Sequence, residues 1–544
     1  MPRDCRGTRR MIAGLALLGG AALVRSGEPV RVRRKEGDVI SQPRPAGVYS
    51  RNACRVDLIF LSDRRSSVPA VTDAADAFAP VPPADLPRTV GELRASGHEF
   101  RTVKEELREN LLDRLRAGAP RFPGIVGYDD TVLPEVERAL LAGHDMVLLG
   151  ERGQGKTRLI RGLIDLLDEW TPFITGSELH EHPYAPITPA SRRLATETGD
   201  LLPVSWLHRS ERYGEKLATP DTSVGDLIGD VDPIKVAEGR ALGDPETIHF
   251  GLVPRTNRGI FAVNELPDLA ERIQVSLLNV LEERDIQVRG YQLRLPLDLL
   301  LVASANPEDY TNRGRIITPL KDRFGAEIRT HYPVELALET ELIRQEAALV
   351  AVVPEHLLDV LARYTRAVRE SPAVDARSGI SARFAIAAAE TVSASALRRS
   401  GLRNEKEAVA RICDTVSVTS TLRGKVEFES GEEGRETEVL AHLLRVATAE
   451  TFRDRLGGLD LSGFTQLVAE GAIIETGDLV SAEELLAQIG TVPGLAKVLD
   501  RLGLGDAPSP GQAAAGIEFV LEGLHLTRRL AKELTDDGRT LYGS

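Results

Sequence analysis

The chain has 544 residues, 42% of them hydrophobic, a globular composition with length for roughly two to four domains. Its formal net charge of −13 argues against nucleic acid as a dominant partner, because sequence-independent DNA binding rests on a basic surface. Cys5, Cys54 and Cys413 are far apart and form no CxxC pair, so neither a disulfide framework nor a zinc site is expected, and a reducing compartment fits.

The N-terminus sets Arg3, Arg6, Arg9 and Arg10 ahead of the apolar run Met11–Val24, the charge order of a secretory signal. No small-residue cleavage site follows Val24, and the run is shorter than the ~20 residues that span a bilayer. An extension outside the working protein, a disordered tail and a true signal or anchor are the three readings. Residues 26–87 are rich in Arg, Pro, Ser and Ala without periodicity. A disordered or spurious extension is therefore expected over 1–88, with no membrane span and a cytoplasmic location.

Ordered sequence begins near Thr89. Val103, Leu107, Leu111 and Leu115 recur at helical spacing, so one amphipathic helix is expected over 90–117, within an N-terminal segment 89–119. A turn-rich entry, Phe122-Pro123-Gly124-Ile125-Val126-Gly127, leads to a helix over 130–142 and the apolar strand Met146-Val147-Leu148-Leu149. Further buried strands are expected at 170–175, 204–208, 259–264 and 299–303. Strands alternating with helices imply a parallel α/β sheet, here a nucleotide-binding domain over 120–333. A helical lid follows over 334–400, with helices at 335–350, 355–369 and 380–397. A separate accessory region is expected over 401–544: a hairpin at 416–428, a solvated acidic loop at 427–438, and a last helix with Ile517, Val520, Leu521 and Leu524 on one face. His180 and His182 sit in a proline-containing loop and are expected at the surface, not on a metal; Trp206 is expected in the core.

The chemistry-bearing stretch is Gly150-Glu151-Arg152-Gly153-Gln154-Gly155-Lys156-Thr157, the pattern GxxxxGK[ST] between a strand and a helix. Backbone N–H groups of such a loop wrap a triphosphate, the lysine reaches the β/γ-phosphates and the threonine hydroxyl meets Mg²⁺. The helix N-terminus adds its positive dipole end. ATP and Mg²⁺ are thus the expected ligands. Downstream, Gly259-Ile260-Phe261-Ala262-Val263-Asn264-Glu265 ends a strand in a candidate general base, Glu265. Asn264 stands where the usual pattern has Asp; its amide can reach the metal only through a water, as Glu265 would, and it brings no negative charge. The next strand ends in Asn306, placed to orient attacking water. Arg323, in Leu320-Lys321-Asp322-Arg323-Phe324-Gly325, has the charge to complete a neighbouring subunit's site.

This series, with Ser378-Gly379-Ile380-Ser381-Ala382-Arg383 in the lid, resembles the AAA+ ATPases of the magnesium-chelatase ATPase-subunit and MoxR-like branch over about 120–399. The resemblance implies Val126 and Gly127 near the adenine, Asn306 as sensor 1, Arg323 as arginine finger and Arg383 as sensor 2. It also implies a ring, most often a hexamer, and a partner protein with a von Willebrand A domain. That domain's DxSxS signature is missing here; Asp221-Thr222-Ser223-Val224-Gly225 ends in glycine. Segment 215–252 is similar to the insert of chelatase-type ATPases, and 286–295 alternates as a hairpin. An ATP-driven remodelling motor is the first expectation. A nucleotide-gated scaffold with little hydrolysis is the alternative, supported by Asn264 alone. A sigma-factor-type activator is disfavoured, since no GAFTGA loop occurs.

Overall fold

The computed structural model describes residues 80–238, 247–282, 285–288, 291–307, 315–375, 379–505, 507–535 and 538–543. The extension expected over 1–88 therefore lies outside the described residues as far as residue 79, together with Cys5, Cys54 and the lid's Ser378.

The strands of the nucleotide-binding half are Met146–Leu149 (β1), Trp170–Ile174 (β2), Val204–His208 (β3), Tyr213–Leu217 (β4), Gly229–Val231 (β5), Ile248–Phe250 (β6), Gly259–Asn264 (β7), Asp285–Val288 (β8), Tyr291–Arg294 (β9), Leu299–Ala305 (β10) and Ala326–Arg329 (β11). Five of them make one parallel sheet in the order β11-β1-β10-β7-β4. Every residue of β1, β7 and β10 is buried, which explains why these strands read as unbroken apolar runs. Alternate residues feed two cores. Val147, Leu149, Phe261, Val263 and Leu301 meet Ile273 and Leu277 of the helix Glu271–Glu282. Met146, Leu148, Ile260 and Val302 meet Leu107, Leu111, Val136 and Leu140 on the other side. Each fully buried Leu, Ile or Val contributes about 1.5–3 kcal/mol, and the sheet is thereby fixed between helical layers.

Several expectations need correction. β2 and β3 do not join the parallel sheet; they pair antiparallel with each other. Pro172 has no N–H to give a central ladder, which suits an outlying ribbon. The sheet is completed instead by β4 and β11, whose polar sequences YGEKL and AEIR carry no apolar-run signal. The single N-terminal helix is two, Val90–Ala95 and Val103–Ala117. Thr102 starts the second with a reciprocal capping box to Glu105, which separates it from the first. The insert holds the antiparallel pair β5–β6, and β8–β9 form the expected hairpin.

The lid helices are Leu336–Glu346, Glu355–Glu370 and Ala382–Arg403. They share one continuous core with the C-terminal region, running from Ile343 through Val360, Phe384, Leu440 and Phe519 to Tyr542, so residue 400 is not a packing boundary. The expected hairpin at 416–428 is the helix Val416–Leu422. Its β-branched run favours a strand locally, but Val418 and Leu422 bury one face at helical spacing and the core decides. The acidic loop gives way to a helix at Glu436. The helix Pro510–Leu526 is buried at every position from Ala513 to Leu524, hence central rather than one-sided. Ile474–Thr476 (β12), Ala531–Leu534 (β13) and Thr540–Gly543 (β14) make a small antiparallel sheet. Among the described residues no helix is long and apolar enough to cross a membrane.

Candidate active site

The loop between β1 and the helix Lys156–Gly162 passes through Gly153 at φ 75°. A Cβ on Gly153 would lie 2.0 Å from the Ser381 Cβ, and one on Gly150 would lie 1.9 Å from Thr330 Oγ1. Only glycine fits such a backbone. The residues after β11 clamp the loop from outside: Thr330 Oγ1 donates to Gln154 Oε1 at 2.7 Å and Tyr332 OH donates to Arg152 O at 2.8 Å. Tyr128 OH lies within hydrogen-bond reach of Gln154 O and His331 O and donates its one proton between them, and burial pushes its phenol up to about 12. The Tyr332 ring in turn lies 3.9 Å under the Arg369 guanidinium of the lid. These clamps carried no motif in the sequence.

Lys156 is buried and donates to Gly150 O, to Glu151 O at 2.8 Å and to Asn306 Oδ1 at 2.9 Å. Asn306 follows β10, and its Nδ2 donates to Glu265 Oε2 at 3.2 Å. Glu265 follows β7 in a left-handed conformation, φ 60° and ψ 44°. That backbone is costly for a non-glycine residue, and such strain concentrates at functional sites. Ser304 Oγ ties the two strand ends, donating to Asn264 Oδ1 at 3.1 Å. Asn264 Nδ2 donates to Glu215 Oε1 at 2.6 Å. Lys156, Asn306, Glu265 and Asn264 are therefore brought together, and Glu215 and Ser304, which no motif named, join them.

The other expected residues lie around this centre. Gly127 lies against Leu338 and Pro333 at the start of the lid, with Val126 beside it. Arg383 is exposed in the first turn of the lid helix Ala382–Arg403, two residues past Ser381, which touches the phosphate loop. Arg323 ends the helix Thr318–Arg323 and pairs with Glu282, its side chain 45% exposed.

The glycine cradle, the buried lysine and Thr157 at the helix start fit a triphosphate, and the Thr157 hydroxyl and the Glu265 carboxylate are the hard oxygen groups that Mg²⁺ and its waters prefer. His182 does not lie on the surface as expected. It is 2% exposed, packed among Phe100, Tyr184 and His98. Tyr184 N–H donates to its Nδ1, so its proton sits on Nε2, 3.2 Å from His98 Nε2. Burial and the nearby Arg258 push it down to about 2. Trp206 is half-buried, with Nε1 donating to Pro87 O. Among the described residues, the group with metal-ligand spacing is Cys413, Asp414 and Asp478, without either histidine, and Asp414 is held by Arg399.

Magnesium-chelatase subunit ChlI of a Nostoc species is 28% identical over 237 residues, 42% of this chain and 58% of its own length. The chloroplastic ChlI of Chlamydomonas reinhardtii is 27% identical over 308 residues, 52% of this chain and 67% of its own. The chain is an AAA+ ATPase of the magnesium-chelatase and MoxR-like branch. This AAA+ chain spans just over half the length of the first curated relatives it matches. The Sigma-54 interaction domain family matches its residues 238–323. Among solved structures, a magnesium-chelatase complex of subunits BchI and BchD aligns at TM-score 0.30 and 21% identity, covering 58% of this chain and 97% of that one. The RuvB Holliday junction branch migration motor of Thermotoga maritima aligns at TM-score 0.29 and 13% identity, covering 80% and 95%. The family membership of the AAA+ chain rests on its motif order and its sequence relatives.

Proposed function

We propose that the chain hydrolyses ATP at the Lys156–Asn306–Glu265 centre within a ring of like subunits, and uses the cycle to remodel a partner protein. The observation that carries this is the hydrogen-bonded line from Lys156 through Asn306 to Glu265, which sets a phosphate-binding cation, a water-orienting amide and a base in one row. Lys156 and the loop N–H groups hold the triphosphate, and Gly153 lets the lid come close to it. Glu265 takes the proton of the attacking water, and Asn306 fixes that carboxylate's orientation. Thr157, and Glu265 through a water, would hold a Mg²⁺ that supplies positive charge against the charge developing on the phosphates. The exposed Arg323 is suited to a neighbouring subunit's nucleotide, and Arg383 to the protomer's own.

The relatives are by name subunits of a larger chelatase, which favours a partner protein for this chain too, one with a von Willebrand A domain being the first to seek. Steady-state ATP hydrolysis with Mg²⁺, run beside Glu265→Gln and a sizing measurement with and without ATP, tests the proposal. Glu265-dependent turnover by an ATP-stabilised ring supports it; binding without turnover favours a nucleotide-gated scaffold. The Sigma-54 interaction match favours a second reading, a transcriptional activator, but the absent GAFTGA loop and the net charge of −13 count against it.

A further inference from the structure

Asn264 removes one negative charge from the strand end where the usual pattern has an aspartate, and its surroundings explain how the site is kept acidic. β4 runs parallel to β7 at the sheet edge, with Glu215 opposite Ala262 and Leu217 opposite Asn264. From there the Glu215 carboxylate reaches back to accept from Asn264 Nδ2 at 2.6 Å. It also accepts from Tyr213 OH at 3.0 Å and from Arg161 Nε at 2.9 Å. Asn264 is 8% exposed, and its Oδ1 takes the Ser304 hydroxyl, whose oxygen also accepts from the Glu265 N–H at 3.4 Å. One chain of hydrogen bonds thus runs from Glu215 through Asn264 and Ser304 to the backbone of the candidate base. An aspartate in place of Asn264 would set two carboxylates face to face at this spacing, which like-charge repulsion disfavours strongly at a half-buried site.

We infer that Glu215 is the second acidic group of the nucleotide site, carrying the charge that Asn264 lacks and holding Asn264 and Glu265 in place for Mg²⁺. Glu215 and Asn264 act as a transposed acid–amide pair, the acid having moved from the strand end to the neighbouring strand. Glu215 is a positioning residue. It acts on the metal's water shell and on Glu265 through Asn264, and outer-shell partners of this kind set metal affinity by roughly 10- to 100-fold. The inference rests on the reading of this centre as a Mg²⁺–ATP site.

The test is a charge transposition in the full chain, read as the Mg²⁺ concentration that half-saturates binding of a non-hydrolysable ATP analogue, by calorimetry. Glu215→Gln should raise that concentration by roughly 10-fold or more, and Asn264→Asp should also impair it. The double variant Glu215→Gln/Asn264→Asp should return towards the wild-type value, since the amide introduced on β4 can donate to the carboxylate introduced at the end of β7, with the polarity reversed and the charge conserved. Arg161→Gln removes the ion pair but keeps the acid, so it should not raise the half-saturation. Unchanged Mg²⁺ dependence in Glu215→Gln, no rescue in the double variant, or an equal rise in Arg161→Gln would each reduce Glu215 to an ion-pair partner and overturn the inference. Wild-type protein that binds no analogue at any Mg²⁺ concentration would instead overturn the ATP-site reading itself. Melting curves of each variant separate loss of metal response from loss of fold.

Discussion

Asn306 donates from Nδ2 to Glu265 Oε2 at 3.2 Å, joining the ends of two adjacent strands of the parallel sheet. The same side chain accepts from Lys156 through Oδ1, so one amide bridges the buried cation and the carboxylate. Glu265→Gln keeps the size and the contact but cannot take a proton. It should bind ATP normally and lose turnover by roughly 10²- to 10⁴-fold. Asn306→Ala frees the carboxylate's orientation without removing it, so it should retain more activity than Glu265→Gln. Single-turnover rates with matched binding measurements check the order, and a Glu265→Gln variant that still hydrolyses ATP would reject Glu265 as base.

Lys156→Ala removes the cation that Gly150, Glu151 and Asn306 surround. ATP binding should fall below detection in equilibrium dialysis, while the fold, fixed by the two cores on the sheet, should stay intact by circular dichroism. Retained affinity would sink the phosphate-loop assignment.

Arg323 is exposed and pairs with Glu282 at the end of another helix of its own subunit, an exposed pair worth about 0–1 kcal/mol that a stronger anion can replace. Arg323→Ala should leave assembly unchanged by sizing and lower turnover by roughly 10³- to 10⁵-fold, the scale of an arginine acting on transferring phosphate. Mixing it with Glu265→Gln should restore part of the activity, because some interfaces then combine an intact Glu265 with an intact neighbouring Arg323. Activity that stays absent at every mixing ratio would place the arginine's role within one subunit.

The sheet's central strands were legible because burial on both faces writes itself as an unbroken apolar run, as in Leu299–Ala305. Its edge strands were not, since Tyr213–Leu217 is only partly buried and its polar residues serve the site rather than the core. The motif residues Lys156, Glu265 and Asn306 could be named in advance because their chemistry demands fixed residue types at strand ends. Glu215, Tyr128 and Tyr332 act through tertiary contacts between segments distant in sequence, which no local pattern announces. Val416–Leu422 went wrong for the opposite reason: its local signal was clear, and packing overruled it.

His356 is fully buried against Phe519, and neither ring nitrogen has a hydrogen-bond partner among the described residues. Burial pushes it down from 6.5 to about 3, with the Arg455 charge adding to the effect. A folded-state value below the unfolded one means that the unfolded chain takes up a proton the folded chain refuses. The stabilising difference is fully present above about pH 6.5 and is lost as pH falls, at about 1.4 kcal/mol per unit. His356→Leu should therefore raise the melting temperature at pH 5 much more than at pH 8. The same acid sensitivity in both proteins would show that His356 is not the group responsible.

The lid and the C-terminal region are stitched together by buried charge as well as by apolar packing. Arg399, in the last lid helix, pairs with Asp414 at 3.0 Å and Glu405 at 2.7 Å, its side chain 1% exposed. Asp414 also accepts from the Arg411 N–H at 2.8 Å. Asp414→Asn leaves the buried Arg399 with Glu405 as its remaining acid, so it should cost stability by up to about 3–5 kcal/mol. Truncation after Ser400 goes further, removing Leu440 and Phe519 from the core they share with Val360 and Phe384 and exposing His356, which packs on Phe519. Because Ser381 at the start of the same helix touches Gly153, loosening the lid should also weaken ATP binding in Asp414→Asn, although residue 414 belongs to the C-terminal region. Thermal melts and ATP affinity of Asp414→Asn, beside proteolysis of the 80–400 fragment, check both effects. A protease-resistant 80–400 fragment with wild-type affinity would show that the lid folds without residues 401–544 and would refute the shared core.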